Sequence, residues 1–354
     1  MNTLLVTSTA ESTGKTAICV ALARLARERD LTVGYMKPKG TRLRSAVGKT
    51  RDEDPLLAKE LLDLDAALHE LEPVVYSPTF VAEALRGRED PDELRERIRS
   101  EFESLSADVD LTIVEGGGDL WTGGIVDLTD ADVAELLDAR ALLVSRYDQP
   151  TDLDRVLAAA DAFGDRLAGV LFNAVAEGDA DEVTDVVAPF LDGRGIATLG
   201  SLPRDADMAG VSVAELADAL GATVVAGEAT DRPTVERFTV GAMGSNAALE
   251  HFRRLRNAAV VTGGDRPDVQ TAALEASGVT CLVLTGGYRP PGTIVGKAEE
   301  RGVPILQVQS DTRRTVDRVE EILTTGRTRT GATVERMTTL LREGVDVDRI
   351  LESE

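Results

Sequence analysis

Short, unbroken apolar runs alternate with segments whose apolar residues recur every three or four positions through the first two hundred residues of the chain. Leu4–Thr7 is the first such run, and Lys15–Arg29 the first periodic segment, with Ile18, Leu22 and Leu25 on one face. The pattern predicts further strands at Thr32–Lys37, Leu111–Glu115, Ala141–Ser145, Ala168–Asn173 and Ala197–Ser201. It predicts helices at Asp54–Leu64, Pro91–Ser104, Leu153–Phe163 and Val183–Leu191. Strands that are apolar without alternation are buried on both faces, so with helices between them they predict a parallel sheet covered on both sides.

A second α/β unit begins near Gly210. Helices are predicted at Val213–Leu220, Asn246–Phe252, Val269–Ser277, Gly292–Arg301 and Thr312–Leu323, and strands at Val235–Val240, Ala258–Val261, Cys281–Leu284 and Ile305–Val308. A strand–Gly-Gly–helix arrangement occurs twice, at Thr262–Gly264 and Thr285–Gly287. Thr333–Leu351 reads as one amphipathic helix, with Val334, Met337, Leu340 and Leu341 on a face expected to pack on a neighbouring domain or subunit. The expected layout is a parallel-sheet domain over 1–208, a smaller α/β domain over 209–326 and a C-terminal helix over 327–354, and 354 residues suit two domains.

Charge narrows the functional classes. A formal charge of −23 repels phosphates and so argues against nonspecific binding to nucleic acid or to an anionic membrane surface. Of the 39 basic residues six are lysine, which leaves 33 arginines. An acidic, lysine-poor surface suits a concentrated-salt cytosol, where repulsion is screened over ~3 Å at 1 M, and halophile adaptation is expected. No apolar run reaches the ~18 residues of a membrane span, and Met1 leads straight into the first strand, so a cytoplasmic protein is expected. Cys19 and Cys281 lie in different halves between apolar neighbours, as small core residues rather than a disulfide framework. His69 and His251 are isolated, which disfavours a His-based zinc site.

The scarcity of lysine makes its placement informative. Lys15 stands in Ser8-Thr-Ala-Glu-Ser-Thr-Gly-Lys-Thr16, between a strand and a helix, where a phosphate-binding loop lies. There, backbone N–H groups and the helix dipole face the phosphates, Gly14 lets the backbone approach, Lys15 reaches the terminal phosphates, and the Thr16 hydroxyl can ligate Mg²⁺. The glycine that usually heads such loops is replaced by Ser8 or Thr9, and Glu11 adds a carboxylate that must point away from a triphosphate or bind metal. Lys37-Pro-Lys-Gly40 ends the next strand, so its lysines face the same crevice unless this is a plain surface turn. Glu115 ends an apolar strand before Gly116–Gly118 and can hold Mg²⁺ or serve as a turn acid. Asp54 alone is an N-terminal helix acid, and Asn173 alone is a strand-end amide that can read a base edge or shape a turn.

Taken in order, Thr7–Thr16, Lys37-Pro38, Asp54, Ser77-Pro-Thr-Phe80, Val114–Gly118, Asn173 and Leu199–Asp205 resemble dethiobiotin synthetase and its relatives in the phosphotransacetylase amino-terminal and cobyrinic-acid synthase families. The resemblance implies an ATP- and Mg²⁺-binding domain. Glu11, Ser12, Thr13, Gly14, Lys15, Thr16 and Ala17 would cradle the phosphates, and Lys15 and Lys37 would stabilise the transferring phosphate and a substrate anion. Thr16, Asp54 and Glu115 would surround Mg²⁺, and Asn173 with the Pro203 loop would hold adenine. Residues 210–325 resemble the DRTGG domain through Gly241-Ala-Met243, Thr262-Gly-Gly-Asp-Arg266, Leu284-Thr-Gly-Gly287 and Asp311-Thr312. Its Gly-Gly loops could cradle an anion beside Arg266 or be plain tight turns.

Phosphotransacetylases of one type carry both domains ahead of a catalytic domain. This chain ends soon after the second, so the resemblance implies that phosphotransacetylase chemistry is absent. The segment Thr41–Lys49, where the biotin-pathway enzyme binds its diamine, carries Arg42 and Arg44 instead, which suits a small anionic substrate or an acidic group of a partner enzyme. Two functions are expected from this reading. One is a nucleotide-sensing regulator in acyl-CoA or acetate metabolism, with at most slow ATPase activity. The other is an ATP-dependent ligase that activates a carboxylate or carbamate. A homodimer or higher homo-oligomer is expected in either case.

Overall fold

The structure, a computed structural model, describes residues 2–41, 43–46, 49–205, 208, 210–230, 234–325 and 331–351. It divides into two compact units, Met1–Arg204 with Thr328–Glu354, and Asp205–Arg327.

Six parallel strands form the sheet of the first unit: β1 (Asn2–Ser8), β2 (Val33–Met36), β3 (Leu111–Glu115), β4 (Arg140–Ser145), β5 (Leu167–Val175) and β6 (Thr198–Pro203). Their order is β6-β5-β4-β1-β3-β2. Sheet order reverses on either side of β1, whose neighbours β3 and β4 both come later in the chain. This is the switch point at which ligands bind beyond the carboxyl ends of the strands. β3 and the middle of β4 are buried throughout, as their unbroken apolar sequence requires.

Helix Lys15–Arg27 follows β1 and is buried over nearly its whole length, enclosed by the sheet, helix Glu53–Leu61 and helix Gly331–Gly344. That enclosure explains its composition: four alanines and Cys19 permit close approach on faces that a surface helix would leave polar.

Most elements fall within a residue or two of their predicted positions, and the differences have local causes. Val183–Leu191 is a helix with a widened π turn at Val183–Val187. Pro189 follows that turn and lacks an N–H to continue regular bonding. Thr333–Leu351 is two helices, Gly331–Gly344 and Val347–Leu351, broken where Val345 bridges to Gly200 at the sheet edge.

The second unit holds a five-stranded sheet of β7 (Thr223–Ala226), β8 (Arg237–Val240), β9 (Ala258–Gly263), β10 (Val279–Thr285) and β11 (Ile305–Gln307). Its order is β7-β11-β10-β9-β8, parallel except for β7. The predicted strand Val235–Val240 divides at Glu236: Thr234–Val235 pairs with Val211–Ser212, and only Arg237–Val240 joins the sheet. Both cysteines are free and buried, one in each unit. Among the described residues no helix is long and apolar enough to cross a membrane.

Candidate functional site

β1 delivers its carboxyl end to a turn that wraps the start of helix Lys15–Arg27. Gly14, at φ 93°, occupies the left-handed region, and a Cβ there would stand 2.7 Å from the Asn173 amide nitrogen, so glycine is required twice over. Ser12 also sits in that region, at φ 53°, a conformation that costs a serine about 1 kcal/mol or more. The turn is held from several sides. The Thr9 amide donates to the Val144 carbonyl (3.2 Å), Arg146 Nη2 donates to the Ser12 carbonyl (2.6 Å), and Asn173 Nδ2 donates to the Thr13 carbonyl (2.7 Å).

Lys15 is buried, and its ammonium donates to Ser8 Oγ (2.7 Å) and to the Gly118 carbonyl. Burial lowers its pKa, against the opposing pull of Asp130 and Glu115. A lysine in this setting gains when an anion replaces the hydration it has lost.

A second cluster lies beside it. The Thr16 hydroxyl donates to Glu115 Oε1 (2.7 Å), and Tyr35 Oη donates to Glu115 Oε2 (2.8 Å). Lys37 Nζ lies 2.5 Å from Asp54 Oδ2, 2.8 Å from Asp52 Oδ2 and 3.7 Å from Glu115 Oε1, with all four side chains buried. Burial alone would lower the Lys37 pKa, but Asp54, Glu115 and Asp52 outweigh it and hold the ammonium charged well above the ordinary lysine range. Burial pushes Glu115 up to about 7, with Lys37 opposing and Asp54 reinforcing. Thr16, Asp54 and Glu115 therefore converge on one locus, where the Lys37 ammonium bridges the two acids. Two carboxylates and a hydroxyl are the hard oxygen donors that Mg²⁺ takes, and the acids are already held together against their mutual repulsion. Among the described residues no group of three or more His, Cys, Asp or Glu side chains forms a metal-ligand cluster on its own.

Lys39 occupies a third place. It is buried and donates to the Thr122 and Leu128 carbonyls (2.5 and 2.6 Å) and to Asp130 Oδ1 (2.9 Å). Asp130 Oδ2 also accepts from the Thr7 hydroxyl (2.7 Å). The Lys39–Asp130 pair thus fastens the loop after β3 to the strand that leads into the Gly14 turn. A Cβ on Gly117 would meet the Lys39 carbonyl at 2.5 Å, so the glycines after Glu115 serve this close approach of two chain segments.

Other predicted site residues fall as follows. Glu11 is exposed on the turn, and Ala17 is buried in the first turn of the helix. Asn173 ends up against the Gly14 turn, with Oδ1 accepting from the Ala174 amide (2.9 Å), and Ala174 follows at φ 59°. Pro203 is exposed at the end of β6, in register with Val175 of β5. Arg42 lies outside the described residues, and of Arg44 only the backbone, in strand Leu43–Ala46, is described.

Three participants went unnoticed in the sequence. Asp52, the N-cap of helix Glu53–Leu61, accepts from the Asp54 amide (2.8 Å); an Asp two residues before a helical acid is a recognisable capping signal. Tyr35 gave no signal beyond a polar-tipped aromatic inside an apolar strand. Arg146, one residue past β4, occupies the same strand-end position that made Lys37 and Glu115 candidates.

In the second unit the Gly-Gly loops are internally satisfied. The Gly264 amide donates to the Thr285 carbonyl (3.0 Å), Gly286 to Ser310 (2.9 Å) and Gly287 to Val308 (3.0 Å). Arg266 donates to the Gly241 and Met243 carbonyls (2.7 and 2.8 Å). Those amides and part of that guanidinium are engaged within the protein, and the loops are tight turns in this structure.

Residues 2–212 match the AAA domain family, and residues 215–322 match the DRTGG domain. The phosphate acetyltransferase of Haemophilus influenzae is 28% identical over 349 residues, covering 88% of this chain and 47% of that protein. That of Pseudomonas aeruginosa is 26% identical over 348 residues, covering 91% and 48%. The ATP-dependent dethiobiotin synthetase BioD of Methanocaldococcus jannaschii is 29% identical over 147 residues, 40% of this chain and 65% of that protein. The chain thus spans about half the length of the phosphate acetyltransferases it matches.

Proposed function

The chain belongs to the AAA domain family and carries a DRTGG domain, and from that premise we propose that it is an ATP-binding regulatory protein whose first domain reports nucleotide to acyl-CoA or acetate metabolism. Its ATPase activity is slow at most. The observation that carries this reading is the pairing of a buried, underhydrated Lys15 with a strained, externally braced turn at the carboxyl end of β1. Such a turn is built to hold phosphates.

In this reading Lys15 and the turn Glu11–Ala17 bind the phosphates, and Asn173 and the Pro203 segment lie on the nucleoside side. Thr16, Asp54 and Glu115 would hold Mg²⁺, which supplies charge neutralisation at the phosphates. Lys37 favours a regulator over a ligase. Its ammonium is enclosed by Asp52 and Asp54, so contact with a substrate anion would first require breaking buried ion pairs. The ligase alternative, with Lys15 and Lys37 stabilising a transferring phosphate as in dethiobiotin synthetase, draws on the BioD likeness and on the presence of Lys37, Asp54 and Glu115. Subunit pairing and a partner enzyme belong to the proposal as well.

The test is Mg·ATP affinity by calorimetry and phosphate release, in molar KCl, for wild type and Lys15→Ala, with and without small carboxylates. Binding that Lys15→Ala abolishes, with turnover that stays low under every condition, is the expected result. Turnover that climbs steeply with one carboxylate would replace the regulator with the ligase. An inability of wild type to bind ATP would remove both.

A further inference from the structure

Two buried polar atoms beside the phosphate turn have no partner within the protein: Thr13 Oγ1 and Arg146 Nε. The residues that carry them meet at one peptide. Arg146 Nη2 donates to the Ser12 carbonyl at 2.6 Å, and that carbonyl belongs to the peptide linking Ser12 to Thr13. The turn is also tied to the end of β4 immediately before Arg146, through Thr9 Oγ1 and Ser145 Oγ (3.1 Å) and through the Thr9 amide and Val144 carbonyl. The backbone on both sides of the guanidinium is therefore fixed.

Arg146 is unusual in its charge as well. The chain has 62 acidic residues, yet among the described residues no carboxylate pairs with this guanidinium. One of its five N–H groups is engaged on the Ser12 carbonyl, which anchors the head and leaves the planar fork able to take two oxygens of one phosphate. A buried hydroxyl and a buried guanidinium N–H left without acceptors are costly unless something anionic arrives. Mere bracing of Ser12 would be served by any neutral donor and would not need an unpaired cation.

We propose that Arg146 is a further phosphate-binding residue of this site, acting with Thr13 on the nucleotide phosphates across the Ser12–Thr13 peptide. It rests on the nucleotide reading above and extends it: the site carries a strand-end arginine in addition to the Lys15 of the turn. The ligand class is a polyphosphate, recognised by its charge and oxygens and not by its base.

The experiment compares wild type, Arg146→Gln and Arg146→Lys in titrations with ATP and with inorganic tripolyphosphate at two KCl concentrations, with melting curves as the folding control. Gln keeps a donor for the Ser12 carbonyl and loses the charge; Lys keeps the charge. A phosphate contact predicts that Arg146→Gln weakens ATP and tripolyphosphate alike, by about tenfold or more. It also predicts that the salt dependence of binding becomes shallower in Arg146→Gln and that Arg146→Lys, a point charge without the fork, keeps the wild-type salt dependence and recovers part of the loss. Arg146→Gln binding as tightly as wild type, or Gln and Lys weakening binding equally with unchanged salt dependence, overturns the assignment and leaves Arg146 a brace. Should Arg146→Gln not fold, Arg146→Met takes its place: weaker tripolyphosphate binding with a shallower salt dependence supports the contact, and wild-type affinity or an unchanged salt dependence refutes it. Wild type that binds neither ligand overturns the nucleotide reading itself, an outcome distinct from a silent Arg146.

Discussion

A hydroxyl buried without a partner costs about 1–3 kcal/mol, and Thr13 carries such a group in the turn proposed to hold phosphates. Valine has the same shape without the hydroxyl. Thr13→Val is therefore expected to melt at the same temperature as wild type or higher, yet to bind Mg·ATP several-fold more weakly; a variant that loses both stability and affinity would show that the hydroxyl serves the fold. Glu72 makes a second case at this scale. It is buried, its carboxylate accepts from the Asp52 amide (3.2 Å), and burial together with the like charge of Asp52 pushes it up to about 7. A carboxyl raised in the folded state binds its proton more tightly there than in the unfolded chain. The stability it lends is thus complete below about 4.5 and lost as pH rises through about 7. Glu72→Gln keeps the neutral form at every pH. It should match wild type near pH 4 and exceed it at pH 8 by roughly 1–3 kcal/mol, read from melting curves at both values; an advantage that does not grow with pH would refute the shift. Lysine was the informative residue in the sequence because it is rare, and Lys15, Lys37 and Lys39 all prove to be buried at one crevice. Tyr35 and Glu72 were not legible, because nothing local marks a side chain whose partner lies tens of residues away.

Periodicity located the elements well where a single face or a double burial decides them, as in Leu111–Glu115 and Leu153–Phe163. It failed where tertiary contact overrides local pattern. The C-terminal segment has one continuous apolar stripe, and only the bridge between Val345 and Gly200 shows why the chain must leave the helix there. Strand Thr223–Ala226 escaped notice because an edge strand of four residues has no period to read. The helix Gly331–Gly344 lies along Lys15–Arg27, with Val334, Met337, Leu340 and Leu341 buried and Arg342 bonded to Glu28 (2.8 Å). Met337 Cε also stands 4.0 Å from where a Cβ on Gly14 would be. Helix Gly331–Gly344 is thus part of the wall behind the Gly14 turn. Leu341→Ala, which removes a fully buried side chain from this contact, should cost about 2–5 kcal/mol and loosen ATP binding in proportion as the first unit opens. Chemical denaturation with and without nucleotide checks this, and a stability change within 0.5 kcal/mol would mean the helix only rests on the surface.

Across the whole molecule the net charge of −23 sets a condition on everything above. Its carboxylates lie mostly on the surface, where like charges repel over a Debye length of ~30 Å at 0.01 M salt but only ~3 Å at 1 M. The crevice behaves oppositely, because Lys15, Lys37 and Lys39 are buried beside their partners and bulk salt screens them little. Salt should therefore stabilise the fold by relieving surface repulsion without dissolving the ion pairs that organise the site. The melting temperature is expected to rise by several degrees between 0.1 and 2 M KCl, since about 1 kcal/mol moves the midpoint of a domain of this size by a few degrees. An effect of screening alone would saturate near 1 M and be matched by NaCl, whereas continued rise in sulfate would indicate enhanced burial of apolar surface instead. A melting temperature that is flat or falls with KCl would show that surface repulsion is not what limits this protein, and would leave its acidic composition without a role in stability.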